Sequence, residues 1–302
     1  TEFIMYVFML TWPVTALGWT SSQIQRAAAS QKRINEFLQA HSELEIGQQI
    51  SKPISGNWEF KNVSFTYPGS DREILKQITF EIKSGESVAL LGTTGSGKSS
   101  LAQLMARFYD PSSGDLLLDG VSLKDWDIKH VRKALAYVPQ DVFLFSTTIA
   151  ENISFGQDGM PTEQIMQAAK MADVYENIME FPGQFETILG ERGVTLSGGQ
   201  KQRVSIARAL AKNPSMLILD DCLSAVDTHT EHKILNNLKK IMVGKTSLII
   251  SHRVSSAKLA NRIMVLQDGQ IVETGNHAQL MKRKGYYYEL YQNQLNEEEN
   301  GL

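Results

Sequence analysis

The segment SVALLGTTGSGKSSLAQLMARF, residues 87–108, restricts the possible folds more than any other part of the chain. A compact apolar run stops at a glycine, a Gly/Ser/Thr loop follows, and a helical pattern starts directly after it. The loop fits G-x-x-x-x-G-K-[ST] through Gly92, Gly97, Lys98 and Ser99. Glycines let backbone N–H groups turn inward around phosphate oxygens; Lys98 reaches the β- and γ-phosphates, and the Ser99 hydroxyl can ligate Mg²⁺. Thr93, Thr94, Gly95, Ser96 and Ser100 complete this candidate triphosphate cradle. The helix N-terminus adds positive potential there. A chance match in a Gly/Ser-rich loop is the competing reading, and the strand–loop–helix order argues against it.

Such a loop needs an acidic strand beside it, and SMLILDD supplies one. Met216 to Leu219 read as a strand buried on both faces of a sheet. Asp220, at its end, is placed to hold Mg²⁺ directly or through water. The adjacent Asp221 is unexplained by metal binding alone. WEFKNVSFTY and ILKQITFEI, upstream, alternate as strands do. The balance of 42% hydrophobic and 21% charged residues in 302 suits a globular chain. A net charge of −3 gives no electrostatic case for a nucleic-acid partner. The single cysteine, Cys222, excludes an internal disulfide.

The start of the chain differs. Phe3 to Trp19 holds no charged side chain, and as a helix it spans about 26 Å, close to a hydrocarbon core of about 30 Å. A secretory signal lacks support, because no basic segment precedes the run and no small-residue cleavage site clearly follows. A buried core helix competes. Trp12 and Trp19 as interface residues, and Pro13, favour the end of a transmembrane helix whose start lies upstream. Arg26, Lys32 and Arg33 then mark the cytoplasmic side. Residues 1–40 are therefore assigned to this helix and its extension. Residues 41–57 read as a linker, 58–294 as the soluble domain, and 295–302 as a disordered acidic tail. GYYYELYQ, before that tail, either packs on the domain or forms a contact surface.

Between the two candidate phosphate-site elements lies LSGGQKQRVSIARAL, residues 196–210. Here the chain resembles the ATP-binding cassette (ABC) family, and the likeness extends from about Trp58 to Gln294. It implies an α/β P-loop NTPase cassette with a RecA-like core sheet, an antiparallel β subdomain and a helical subdomain. It further implies that Tyr67 stacks on adenine, that Gln140 in YVPQD touches Mg²⁺ and senses the membrane domain, and that His252 in LIISHR contacts the γ-phosphate. Leu196, Ser197, Gly198, Gly199 and Gln200 form the signature, which in this family faces a nucleotide held by a partner cassette. Ser224 and Asp227 match the loop crossing that interface. Two cassettes then sandwich two MgATP molecules head to tail.

The apolar span fused to the cassette, the TILGERGVTLSGG segment with Glu191, and the basic helical extension resemble an exporter of type IV. The implied parent is a half-transporter similar to bacterial multidrug and lipid exporters, in the inner (plasma) membrane with its cassette on the cytoplasmic side. Its own upstream transmembrane domain and a second half-transporter are the implied partners. The distance from Lys98 to Ser197 leaves no room for a DNA-repair coiled coil. A soluble, non-transport ATPase remains the other class. Most members carry glutamate where this chain has Asp221, the expected base. In heterodimeric exporters the weak site often carries aspartate while its subunit keeps an intact signature, as here; a homodimer with a working aspartate is the alternative.

Overall fold

The computed structural model describes residues 2–39, 44, 47–157, 159–190, 193, 196–226 and 228–300. The chain divides into two compact units, residues 1–45 and 46–302. The first is dominated by one helix, α1 (Glu2–Leu38), 37 residues long with Pro13 inside it and no buried side chain. It is apolar enough over 18 residues, with a mean hydropathy of 1.4, to cross a membrane. Thr11, Thr15 and Thr20 each turn their hydroxyl back onto the carbonyl four residues earlier, at 2.8–3.0 Å. These polar groups are therefore satisfied within the helix, as an apolar medium requires.

The second unit opens with the antiparallel strands β1 (Trp58–Thr66) and β2 (Glu73–Ile82). Then come β3 (Ser87–Leu91), α2 (Lys98–Met105), and strands β4 (Ser113–Leu118) and β5 (Val121–Ser122). Next are α3 (Ile128–Ala134) and β6 (Leu135–Val138). A helical stretch follows: α4 (Ile149–Ile153), α5 (Thr162–Met171), α6 (Tyr175–Met179) and α7 (Gly198–Ala211). The chain then runs through β7 (Met216–Asp220), α8 (Thr228–Ile241), β8 (Thr246–Ile250) and α9 (Val254–Ala257). It closes with β9 (Arg262–Gln267), β10 (Gln270–Gly275), α10 (His277–Arg283) and α11 (Tyr286–Asn300).

Two sheets result. One has four strands in the order β2-β1-β4-β5; the other has six, β10-β9-β3-β8-β7-β6. In the larger sheet β9, β3, β8, β7 and β6 are parallel, and only β10 runs antiparallel. β3, β7 and β8 are buried at every position, which explains their unbroken apolar runs. Their alternate side chains divide between two cores. Ala89, Leu91, Leu217, Leu219 and Ile249 face the core that includes the helical stretch. Val88, Leu90, Ile218, Leu248 and Ile250 face the core shared with β1, β2 and α2. The strand period of two thus joins helices and antiparallel sheet through one central layer.

One feature adds to the sequence expectations and a second departs from them. From Gly47 onward the segment read as a linker is fastened to this unit. Ile50 bridges Trp126 in parallel, and the Ser55 and Asn57 amides donate to the Asp119 carboxylate at 2.7 and 2.8 Å. Within this segment these bonds are made by main-chain groups rather than by side chains, which leaves no hydrophobic period for sequence reading to detect. Secondly, α11 continues to Asn300, so residues 295–300 are helical rather than a disordered tail. Glutamate propagates a helix well once it is nucleated. Within α11, Tyr287 is fully buried beside Leu280, so the tyrosine run packs on the unit.

Leu248→Ala, in the centre of the six-stranded sheet, is expected to destabilise the fold by about 2–5 kcal/mol. A thermal or urea melt checks this.

Candidate functional site

The phosphate loop forms between β3 and α2, and Lys98 is the first residue of α2. Gly97 caps that helix with φ 106°, and a Cβ there would lie 2.8 Å from Leu75 Cδ2. Only glycine meets both demands. Lys98 Nζ folds back onto the Gly92 and Thr93 carbonyls, each at 2.8 Å. Burial lowers its pKa, opposed by the nearby Asp221 and Asp220 carboxylates. The Ser96 hydroxyl is buried without a hydrogen-bond partner.

Across the loop, β7 ends at Asp220, which is 2% exposed. Ser99 Oγ donates to its Oδ1 at 3.1 Å and Tyr137 OH to its Oδ2 at 3.0 Å. Burial raises the Asp220 pKa, and the two hydrogen bonds oppose that rise. Asp221 lies just past the strand in the left-handed region, φ 47°, with its amide bonded to Ile250 O at 2.8 Å. Its Oδ1 stands 3.0 Å from His252 Nδ1. Asp221 is 14% exposed and His252 50%, so the histidine is the open half of this pair.

These groups share a cleft of about 310 Å³. Tyr67, Thr94, Gly95, Gly97, Lys98, Ser99, Ser100, Gln140, Asp220, Asp221 and His252 all line it. Tyr67 OH meets Ser100 Oγ and Gln103 Oε1, both at 2.8 Å, which fixes the ring against Tyr109 edge-on at 5.3 Å. Gly92, Thr93 and Ser96 belong to the loop without lining the cleft.

Leu196 to Gln200 lie elsewhere, at the start of α7, and are not part of the cleft lining. Ser197 is the N-cap. Gln200 N donates to Ser197 Oγ at 3.2 Å, and Ser197 N donates to Gln200 Oε1 at 2.9 Å. A Cβ on Gly199 would meet Ala225 O at 2.9 Å, and one on Gly198 would touch the Ala225 side chain. The Ser224 hydroxyl accepts from Gln202 Nε2 at 3.0 Å, and Ala225 N donates to Gln202 Oε1 at 3.0 Å. Signature and following loop are therefore one packed piece. Asp227 and Glu191 lie outside the described residues.

Residues 75–224 match the ABC transporter family. The chain belongs to it. An ATP-dependent lipid A-core flippase of Pseudomonas fluorescens is 44% identical over 96% of this chain and 49% of the relative. An uncharacterized ABC transporter ATP-binding protein of Bacillus subtilis is 41% identical over 98% of the chain and 51% of its own length. A solved bacterial Atm1-family ABC exporter with ATP bound superposes with a TM-score of 0.85 at 37% identity, covering 96% of this chain and 51% of that one. The chain thus spans about half the length of these relatives.

Four residues around this ABC site escaped the sequence reading. Arg72, Ile74 and Ile250 line the cleft, and Tyr137 holds Asp220. Tyr137 and Ile250 lie within the YVPQD and LIISHR stretches but carry no role in those motifs, and Arg72 and Ile74 belong to no fixed-spacing motif. Tyr137 is the one that could have been found: it stands at the end of β6, opposite Ile218 on β7.

Cys222, beside the paired acids, is buried, and that burial pushes its thiol up to about 12. Native protein is expected to leave Cys222 unmodified by N-ethylmaleimide at about pH 8, with full labelling after denaturation. Intact-mass measurement distinguishes the two states.

Proposed function

We propose that this chain is the cassette-bearing part of a longer ABC exporter subunit, binding and hydrolysing ATP to drive transport across a membrane. The observation that carries this reading is the convergence, in one cleft, of Lys98 with the Ser99–Asp220 and Asp221–His252 pairs. The exposed apolar α1 and the half-length match to flippase and exporter relatives support the membrane part. In this reading further transmembrane helices lie upstream, the membrane is the inner (plasma) membrane, and the cassette faces the cytoplasm.

The cleft suits MgATP. Ser99, Asp220 and Gln140 offer the oxygen donors that a hard cation takes, and these three would hold Mg²⁺. When bound, Mg²⁺ neutralises charge on the phosphates. Lys98 and the loop amides stabilise the transferring phosphoryl group. Tyr67 presents its ring to the adenine. His252 orients the γ-phosphate, and Asp221 polarises the attacking water, whose proton it accepts. Because the signature stands outside this chain's cleft, Ser197, Gly198 and Gly199 act on a nucleotide held by a second cassette. Ser224 and Asp227 lie at that junction. Closure then takes two cassettes head to tail, with ATP as part of the interface.

Asp221 favours an unlike partner. A carboxylate one methylene short of glutamate is displaced by about an ångström, and misplacement on that scale can cost about 10²-fold in rate. The 3.0 Å contact with His252 further engages one of its oxygens. The intact signature, with its complete capping box, serves the partner's site. Asp221→Glu is expected to raise ATP turnover of the assembled transporter, and Ser197→Ala to damage it severely. Loss of all hydrolysis from Asp221→Asn alone would sink the weak-site reading in favour of a homodimer. Lys98→Ala is expected to remove nucleotide affinity at this chain's site; retained ATP affinity would count against the whole assignment.

A further inference from the structure

The turn that carries His252 is held from a direction the ATPase motifs do not include. Gln294, on α11, meets it at two points with one side-chain amide. Its Oε1 accepts from Val254 N at 2.8 Å, and its Nε2 donates to the His252 carbonyl. Val254 N is the first amide of α9 and has no partner within that helix. Nothing in the family signature asks for a residue here.

The contact comes from a well-anchored face. Tyr287, Tyr291 and Gln294 follow at i, i+4 and i+7, one stripe of α11. Tyr287 is fully buried with its hydroxyl 2.6 Å from His277 Nδ1. Lys258 Nζ sits 4.4 Å from the Tyr291 ring centre, joining α11 to the end of α9. On its other side the His252 turn is gripped by Glu231 of α8, which accepts from Arg253 Nη1 and from Ser255 Oγ at 3.1 Å. The His252 carbonyl and the three residues after it are thus fixed, while its ring is half exposed and reaches Asp221.

We propose that Gln294 is a positioning residue for His252, through which α11 sets the geometry of the switch histidine. A rigid backbone at residues 252–254 is what lets an exposed imidazole keep its aim at Asp221. The inference rests on the ATPase reading above.

The test uses the full chain purified without other subunits and concentrated enough for two copies to pair head to tail, so that every turnover comes from a site built by this sequence. Gln294→Ala is expected to lower kcat for ATP about fivefold while KM stays within about twofold. In a His252→Ala background the same substitution should add nothing. Gln294→Glu, which can accept from Val254 N but cannot donate to the His252 carbonyl, should behave like Gln294→Ala. Tyr291→Phe, on the same face, should leave kcat unchanged. Hydrogen exchange of the Val254 amide should quicken by about tenfold in Gln294→Ala. Unchanged exchange, an unchanged kcat, or a loss that persists undiminished without His252 overturns the proposal. Absence of ATP binding by the unsubstituted chain strikes the ATPase reading instead; binding without turnover means that an unlike partner is required, and the exchange measurement then decides the Gln294 contact.

Discussion

A buried carboxylate at the mouth of a parallel sheet is the constraint around which the cassette is arranged. Asp220 ends a strand enclosed on both faces, where an unpaired charge is costly. It is made tolerable by two donors from different elements: Ser99 in the first turn of α2 and Tyr137 at the end of β6. That arrangement ties the phosphate loop to two sheet strands at a single point. It also explains the close packing at Gly97. Gly97 must seat α2 against Leu75 so that Ser99 comes within reach.

Immediately beyond that fixed carboxylate the backbone reverses its local hand. Asp221 adopts a left-handed conformation, an allowed minority state for aspartate, and its amide is pinned to Ile250 of the neighbouring strand. The turn carries the second carboxylate out of the strand line toward His252, at the end of β8. Two adjacent acids thereby reach different partners without competing. The parallel register, with Asp220 opposite Ile250, places the His252 turn next to the Asp221 turn.

Much of this was legible because the informative residues sit at fixed spacing. The phosphate loop, the acidic strand and the signature each occupy one continuous stretch. The unbroken apolar runs also announced strands covered on both sides. What stayed hidden depends on contacts between distant segments. Tyr137 meets Asp220 across 83 positions, and Gln294 meets Val254 across 40. Segment 47–57 was hidden for a second reason. It is held by amides donating to Asp119 and by one strand-like bridge, and backbone bonds impose no pattern on side chains. The helical course of α11 through residues 295–300 shows the limit of composition: a run of glutamates reads as a tail until an anchored helix extends into it.

The signature illustrates why a motif can be recognised before its physical cause is known. Its two glycines look like a loop built to approach phosphate. In the folded chain they have a nearer obligation, because Gly199 lies against the Ala225 carbonyl and Gly198 against the Ala225 side chain. Gln202 then binds both the Ser224 hydroxyl and the Ala225 amide, so the tip of α7 and the segment after Asp221 cannot shift independently. Any displacement of the Asp221 turn therefore has a rigid route to the helix N-terminus presented outward by Ser197. The same stretch that supplies one cleft with its second carboxylate also fixes the aim of the signature, which joins the two surfaces mechanically within a single chain.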